Sequence, residues 1–596
     1  MSYRAPVRDQ LFVLNEVLDL GRHSSLEGFG EATPELTAQL LEEAARFCEE
    51  ALAPLNQVGD REGCRYDPDS ASVTTPPGFK AAYDQMVQAG WTALSVEQAW
   101  GGQGLPLVLN LAFNEMASSA NMAFAMYPGL THGAYSAIRN GGSAEQKALY
   151  LPKLASGQWS GTMNLTEPQA GTDLGLLRTK AVPQGDGSYR ISGQKIFISA
   201  GEHDLTENIV HLVLARIEGA PAGTKGISLF IVPKFLPDAE GKPGERNSVK
   251  CLSLEEKMGI HGNATCVISH EEATGWLVGE ENRGLPLMFV MMNEARIGVA
   301  VQGLAQAEAA YQEAAAYAKE RLQGRSLTGA KNPDGAADPI IVHPDVRRML
   351  MEAKAIIEGG RALLLWTALQ GDLAKDAPDE AARQKGEDYM ALLTPVLKAF
   401  LTDRGFLIAS DAMQVFGGAG FTESFAASQH LRDSRISLIY EGTNGVQALD
   451  LVGRKLAANG GRAVMSFFAD LDAYVAAHQG EEVLKPFVEG LAQAKGQLQE
   501  ATMWLMQNGL ANPDNAGAAS TDYLHLFALT GLAFAWAQVA QAAQAKVAAG
   551  EIDPFFANKL VTGRYYLARV LPEAASRLAK LKAGSELMMA LPAEAF

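Results

Sequence analysis

The feature that most restricts this chain of 596 residues is a change of hydrophobic period, made twice. Before about residue 160, apolar residues recur at three- and four-residue steps, as in TPELTAQLLEEAARFCEEALAPL, which is the spacing of one helix face. From there to about Glu280 the chain reads SYRISGQKIFISAG, NIVHLVLARI, KGISLFIVPKF and ATCVISHEEATGWLVG. These runs are β-branched and aromatic, with Gly and Asp at the breaks, which is strand composition. After Gly284 the helical spacing returns in long, Ala-rich stretches. A β unit set between helical regions predicts an α+β fold, mainly α, with helices from both sides packing on it.

The expected division is an N-terminal extension (1–34), an N-terminal helical domain (35–160), a central β-barrel-like domain (161–282), a C-terminal four-helix bundle (283–455) and an additional C-terminal helical domain (456–596). Thr33 or Thr37 is the expected cap of the first long helix and Pro54 its end. Aromatic and Met positions beyond residue 460 fit a bundle core better than a cofactor box.

The totals exclude several function classes. A formal net charge of −18 argues against nucleic acid as a partner, because phosphate binding needs a basic face. The four cysteines, Cys48, Cys64, Cys251 and Cys266, form no C-x-x-C pair and suit neither a zinc site nor a disulfide framework, which points to a reducing compartment. No H-E-x-x-H occurs, so no metal is expected. The opening stretch LFVLNEVLDL is broken by Asn15, Glu16 and Asp19 and does not read as a signal peptide. No uninterrupted run of eighteen apolar residues appears, so no membrane span is expected and the cytoplasm is the expected location.

There is no P-loop and no G-x-S-x-G elbow. QVFGGAGF (414–421) lacks the third glycine of a dinucleotide fingerprint and follows a helix, so it reads as a helix-ending turn. MNLTEPQAGTDLG (163–175) is a double turn at the helix-to-β junction, suited either to a polar ring edge or phosphate, or simply to joining domains. RISLIYEGTNGVQ (435–447) carries Glu441 out of an apolar run into a glycine turn. On its own this can be a surface turn before a helix capped by Thr443 or Asn444.

Four of these stretches together resemble one family. TEPQAGTD resembles the flavin loop of acyl-CoA dehydrogenases, and QKIFISAG (194–201) its companion strand. QVFGGAGF and LRDSRISLIYEGTNGVQ resemble the family's glycine turn and its R-D-x-[RK]-I-x-x-I-[YF]-E-G-T signature. They occur in the family's order, and the resemblance covers about residues 35–455. The N-terminal segment and the additional domain resemble a long subgroup that includes 3-methylmercaptopropionyl-CoA and bacterial medium- to long-chain acyl-CoA dehydrogenases.

The resemblance implies FAD as cofactor, α,β-dehydrogenation of an acyl-CoA to the trans-2-enoyl-CoA, and electron-transfer flavoprotein as acceptor. It implies Glu441 as the base that removes the α-proton. Leu165, Thr166, Thr172, Phe197 and Ser199 are implied at the flavin, with Phe197 replacing the usual Trp. Arg321, Gln414, Gly417 and Gly418 are implied at the FAD pyrophosphate of a neighbouring subunit, and Thr443 at the adenylate half. Thr172, Asn293, Arg296, Tyr440 and Gly442 are implied at the acyl-CoA; for Arg296 a buried helix salt bridge is the equal alternative. Gly445 replaces a common Gln, which puts that FAD contact in question. The extra helices suggest a homodimer where shorter members form a dimer of dimers. An acyl-CoA oxidase that passes electrons to oxygen, and a non-catalytic helical scaffold, are the rival readings.

Overall fold

A computed structural model describes residues 3–596. The main helices before the sheet are α1 (Pro34–Phe47), α2 (Leu107–Gly141) and α3 (Ala144–Ala155). Thr33 caps α1 by accepting from the Leu36 N–H at 3.2 Å. The chain does not stop at Pro54: a wide turn over Cys48–Leu52 leads into a further helix, Ala53–Glu62, where Pro54 sits in the first turn. There its missing N–H costs nothing. α2 is two helices in one, broken at Asn121 (φ −162°, ψ 91°), whose side chain caps the second half by accepting from Phe124 N at 3.1 Å.

The strands are β1 (Trp159–Asn164), β2 (Lys180–Pro183), β3 (Ser188–Ser199), β4 (Asn208–Ile217), β5 (Ser228–Pro233), β6 (Val249–Leu254) and β7 (Thr265–Val278). The pairings β7–β3–β2–β4–β5 return to β7, so five strands close on themselves as a barrel. β6 adds to β7, and β1 runs parallel to β4. The two-residue period of β4 sorts its side chains. Val213 and Ala215 face the barrel interior with Phe230 and Val232, while Leu212 and Leu214 face α2 and α3 with Trp159 and Tyr150. Burial on both faces explains why this strand reads as a continuous apolar run.

The bundle consists of α4 (Gly284–Glu320), α5 (Pro344–Asp376), α6 (Glu380–Phe416) and the short α7 (Asn444–Asp450). The additional domain holds α8 (Arg462–His478), α9 (Lys485–Ala511), α10 (Pro513–Ala548) and α11 (Pro554–Tyr565). One continuous apolar core joins α1, α2, α4, α5 and α6 to α8, α9 and α10. Among the described residues two helices, α4 and α10, are long and apolar enough to cross a bilayer by length and composition alone. In α10 that window is 83% buried, because an Ala-rich helix at the centre of a bundle needs apolar residues all round.

Candidate active site

The bundle builds a sharp turn and holds it from below. Glu441 has φ +57°, the left-handed region that L-residues avoid. Gly442 follows at φ +85°, which only glycine adopts freely. Thr443 then caps α7, accepting from Val446 N at 3.3 Å. Three cationic or amide donors fix the turn's two carbonyls. Arg296 Nε donates to Glu441 O at 3.3 Å, and Gln447 Nε2 donates to the same oxygen at 3.0 Å. Lys398 Nζ donates to Gly442 O at 2.9 Å. Both Gln447 and Lys398 are fully buried.

This scaffold presents the Glu441 carboxyl to a cavity of about 550 Å³ between α2, α4 and α6. The walls are largely apolar, among them Leu111, Phe113, Met126, Val299 and Met390. Trp91 stacks on Phe113 at 5.0 Å to form part of the wall. Burial pushes the Glu441 carboxyl up to about 7, partly offset by the positive charges of Arg296 and Lys398. Lys398, itself buried, is lowered to about 8, with Glu441 and Asp403 opposing the shift. The site therefore holds a carboxylate that is ionised near neutral pH and still basic, beside an apolar slot.

Tyr440 and Asn293 line the same cavity, and Gly442 adjoins it as part of the turn. The Tyr440 hydroxyl donates to the Gln302 side chain. Asn293 is exposed near the cavity mouth. Arg296 also borders the cavity but is buried, engaged with the Glu441 carbonyl and paired with Asp450 at 3.6 Å. Its engagement matches the buried-ion-pair alternative of the sequence reading.

A second group stands on the barrel edge. The Leu165 carbonyl accepts from Lys195 Nζ at 3.0 Å, and the Thr166 carbonyl accepts from Ile196 N at 2.9 Å. Lys195 also pairs with Glu167 at 2.9 Å, and Glu167 accepts from Arg178 N and from both Thr179 N and Oγ1. The loop before the barrel is thus tied down at its base. Phe197, at φ +57°, is 59% exposed, an unusual state for a large apolar ring. Ser199 lines the cavity of Glu441, so the ledge and the turn share one space. Thr172 is exposed on the loop beyond.

Arg321, Gln414, Gly417 and Gly418 form a third, exposed group where α4 and α6 end together. A Cβ on Gly417 or Gly418 would meet nothing within 4 Å, which leaves an open cradle. Along α4, Arg321 lies 25 residues beyond Arg296, roughly 40 Å at the helical rise. Within one chain this group does not join Glu441. Sequence reasoning did not single out Lys398 and Gln447; the signal available for Lys398 was a lone cation inside the apolar run TPVLKAFL.

Comparison with known proteins gives a consistent picture. Residues 34–158, 162–273 and 282–456 match the N-terminal, middle and C-terminal domain families of acyl-CoA dehydrogenases. Residues 467–592 match the family described as acetyl-CoA dehydrogenase C-terminal like. The chain is 44% identical to 3-methylmercaptopropionyl-CoA dehydrogenase of Ruegeria pomeroyi, over 98% of both chains. It is 36% identical to the broad-specificity linear acyl-CoA dehydrogenase FadE5 of Mycobacterium tuberculosis, over 96% of both. Among solved structures, Caenorhabditis elegans ACDH-11 in complex with C11-CoA superposes with a TM-score of 0.79, covering 98% of this chain and 95% of that one. At 18% identity that likeness speaks to the fold.

Proposed function

Because the chain belongs to the acyl-CoA dehydrogenase family, we propose that Glu441 is the base of an FAD-dependent α,β-dehydrogenation whose substrate is a linear acyl-CoA or 3-methylthiopropanoyl-CoA. The observation that carries this reading is the Glu441 carboxyl itself, raised to about 7 at an apolar cavity. An α-proton of a thioester is a weak acid, so its base has to be close, rigid and partly desolvated. Arg296, Gln447 and Lys398 supply the rigidity by holding both carbonyls of the turn. The apolar walls supply the desolvation and accept the acyl chain.

The residues present fit FAD. The exposed Phe197 ring and the tied-down Leu165–Thr166 backbone offer a ledge for a flat ring, with Ser199 on the cavity side. The Gly417–Gly418 cradle beside Arg321 has room and charge for a pyrophosphate. Bound FAD supplies a hydride acceptor for the β-hydrogen. Glu441 takes the α-proton to its carboxylate, and Tyr440, which lines the cavity beside it, helps keep the thioester over the turn. The product is the trans-2-enoyl-CoA, and the electrons pass to electron-transfer flavoprotein.

The separation of roughly 40 Å between cradle and turn along one helix supports a homodimer in which the cradle of one chain completes the flavin site of the other. A monomer mass by light scattering would refute that arrangement. The relatives named for a thioether and for linear acyl groups support the substrate class.

Anaerobic addition of acyl-CoAs to the FAD-loaded protein tests the reading. Bleaching of the visible flavin band is expected, and the panel should run from butyryl- to palmitoyl-CoA and include 3-methylthiopropanoyl-CoA. No bleaching by any of them would refute it. Rapid peroxide formation in air would reassign the acceptor to oxygen.

A further inference from the structure

The additional helical domain reaches the catalytic turn through an unbroken line of side chains. His525, on α10, is buried with its ring edge against Phe400 at 5.5 Å. Its Nε2 lies 2.9 Å from Asp403 Oδ2; because a carboxylate only accepts, Nε2 carries the hydrogen. The other carboxylate oxygen of Asp403 accepts from Asn444 Nδ2 at 2.7 Å. The Asn444 carbonyl oxygen in turn accepts from Lys398 Nζ at 2.8 Å, and Lys398 Nζ donates to Gly442 O at 2.9 Å. The second amide hydrogen of Asn444 is donated to Thr402 Oγ1 at 2.9 Å.

We propose that His525 is a positioning residue for the dehydrogenation: through Asp403, Asn444 and Lys398 it holds the Glu441–Gly442 turn in its left-handed conformation. The inference rests on Glu441 being the base. A non-glycine residue stays left-handed only where its surroundings over-determine it, and here those surroundings come from two sides. Arg296, backed by Asp450 and Arg454, secures the Glu441 carbonyl from α4. Lys398 secures the Gly442 carbonyl from α6, and a buried lysine keeps its aim only while its other partners are fixed. Asn444 is that partner, and Asp403 sets which way its amide points. Asp403 is half-buried, and its second oxygen is occupied by His525. Removing the imidazole N–H frees the carboxylate to rotate toward solvent, and the Asn444 amide loses its orientation. The additional domain thus contributes to the geometry of a base that lies outside it.

His525→Phe and His525→Gln test the assignment in FAD-loaded protein. Phe keeps the aromatic packing on Phe400 and deletes the donor; the Gln amide can give the same hydrogen bond. Anaerobic flavin reduction at saturating acyl-CoA should slow about tenfold in the Phe variant, the scale of one lost buried hydrogen bond. Acyl-CoA affinity should change less than twofold, and Gln should restore most of the rate. Amide hydrogen exchange across 441–447 should accelerate at least fivefold in the Phe variant and not in the Gln variant. Wild-type rate and exchange in the Phe variant would overturn the proposal. So would equal slowing in both variants with an equal drop in melting temperature, which would mark plain packing. If the wild type is reduced by no acyl-CoA, the functional reading fails instead, and the exchange measurement still decides the relay.

Discussion

As the proposed base, Glu441 has to meet two opposed demands, to be ionised and to be basic. Its carboxyl, lifted to about 7 by burial against Arg296 and Lys398, sits where both are met near neutral pH. In the range below about 7 the base is protonated and idle, so kcat/KM should rise about tenfold per pH unit and then level off. Glu441→Gln should keep FAD and acyl-CoA binding and lower turnover by about a thousandfold, within the range for loss of a general base. The same shift has a stability signature. The folded state binds this proton more tightly than the unfolded chain, whose carboxyl lies at 4.5, so the group's contribution falls as pH rises from 4.5 to about 7. Glu441→Gln removes that loss. Its melting temperature should exceed the wild type at pH 8 and converge with it near pH 4; a gap independent of pH would contradict the burial argument. A turn capped by Thr443 or Asn444 is legible in EGTN, because Thr and Asn directly ahead of a helix have a local meaning, whereas Glu441 was singled out by the family signature around it. The left-handed φ of Glu441 is not legible, since it is imposed by Lys398 and Arg296 from 43 and 145 positions away.

At the scale of elements, the loop at 163–175 takes its shape from the barrel beneath it. Lys195 is fully buried on β3 and joins Glu167 to the Leu165 carbonyl. Although burial raises the Glu167 carboxyl, Lys195 and the Thr179 hydroxyl bring it down to about 2. Lys195 itself is lowered by burial to about 8, so at neutral pH the pair is ionic. Lys195→Met would leave a buried carboxylate with amide and hydroxyl donors but no counter-charge, a costly state. The loop should loosen, and FAD affinity of the apoprotein, measured by fluorescence titration, should fall about tenfold or more; unchanged affinity would mean the ledge is not the flavin's seat. The period change announced the barrel, since β4 and β5 are apolar on both faces. The strand that closes it was not legible: the four-residue β2 pairs with both β3 and β4 and has no pattern long enough to read. The break in α2 escaped for a related reason. Asn121 ends one helix and caps the next without any glycine or proline at the joint.

At the scale of the whole molecule, one buried cluster fastens the chain's two ends to its middle. Arg361 on α5 is 1% exposed and pairs with Glu115 and Glu308 at 2.6 Å each, and with Asp9 of the N-terminal segment. Lys559 on α11 pairs with the same Asp9 and, at 2.9 Å, with Glu358, which also meets Lys354. Gln10 adds a donor to Glu115 at 2.9 Å. Nothing in the sequence announced this: the members are scattered from 9 to 559, and each alone reads as a surface charge. Arg361→Met keeps the volume and removes the central cation, leaving Glu115 and Glu308 without a counter-charge while Asp9 keeps Lys559. Breaking a buried pair from one side costs on the order of 3–5 kcal/mol, to be read as a shift in the guanidinium unfolding midpoint. Burial already raises the Glu115 carboxyl despite Arg361, so without that cation it is raised further. Protonation then relieves the strain, and the loss should be larger at pH 8 than at pH 5. A loss below about 1 kcal/mol would place this cluster among the exposed pairs of little consequence. In that case the apolar seam of α5, α8 and α10 would be the real fastening of the additional domain.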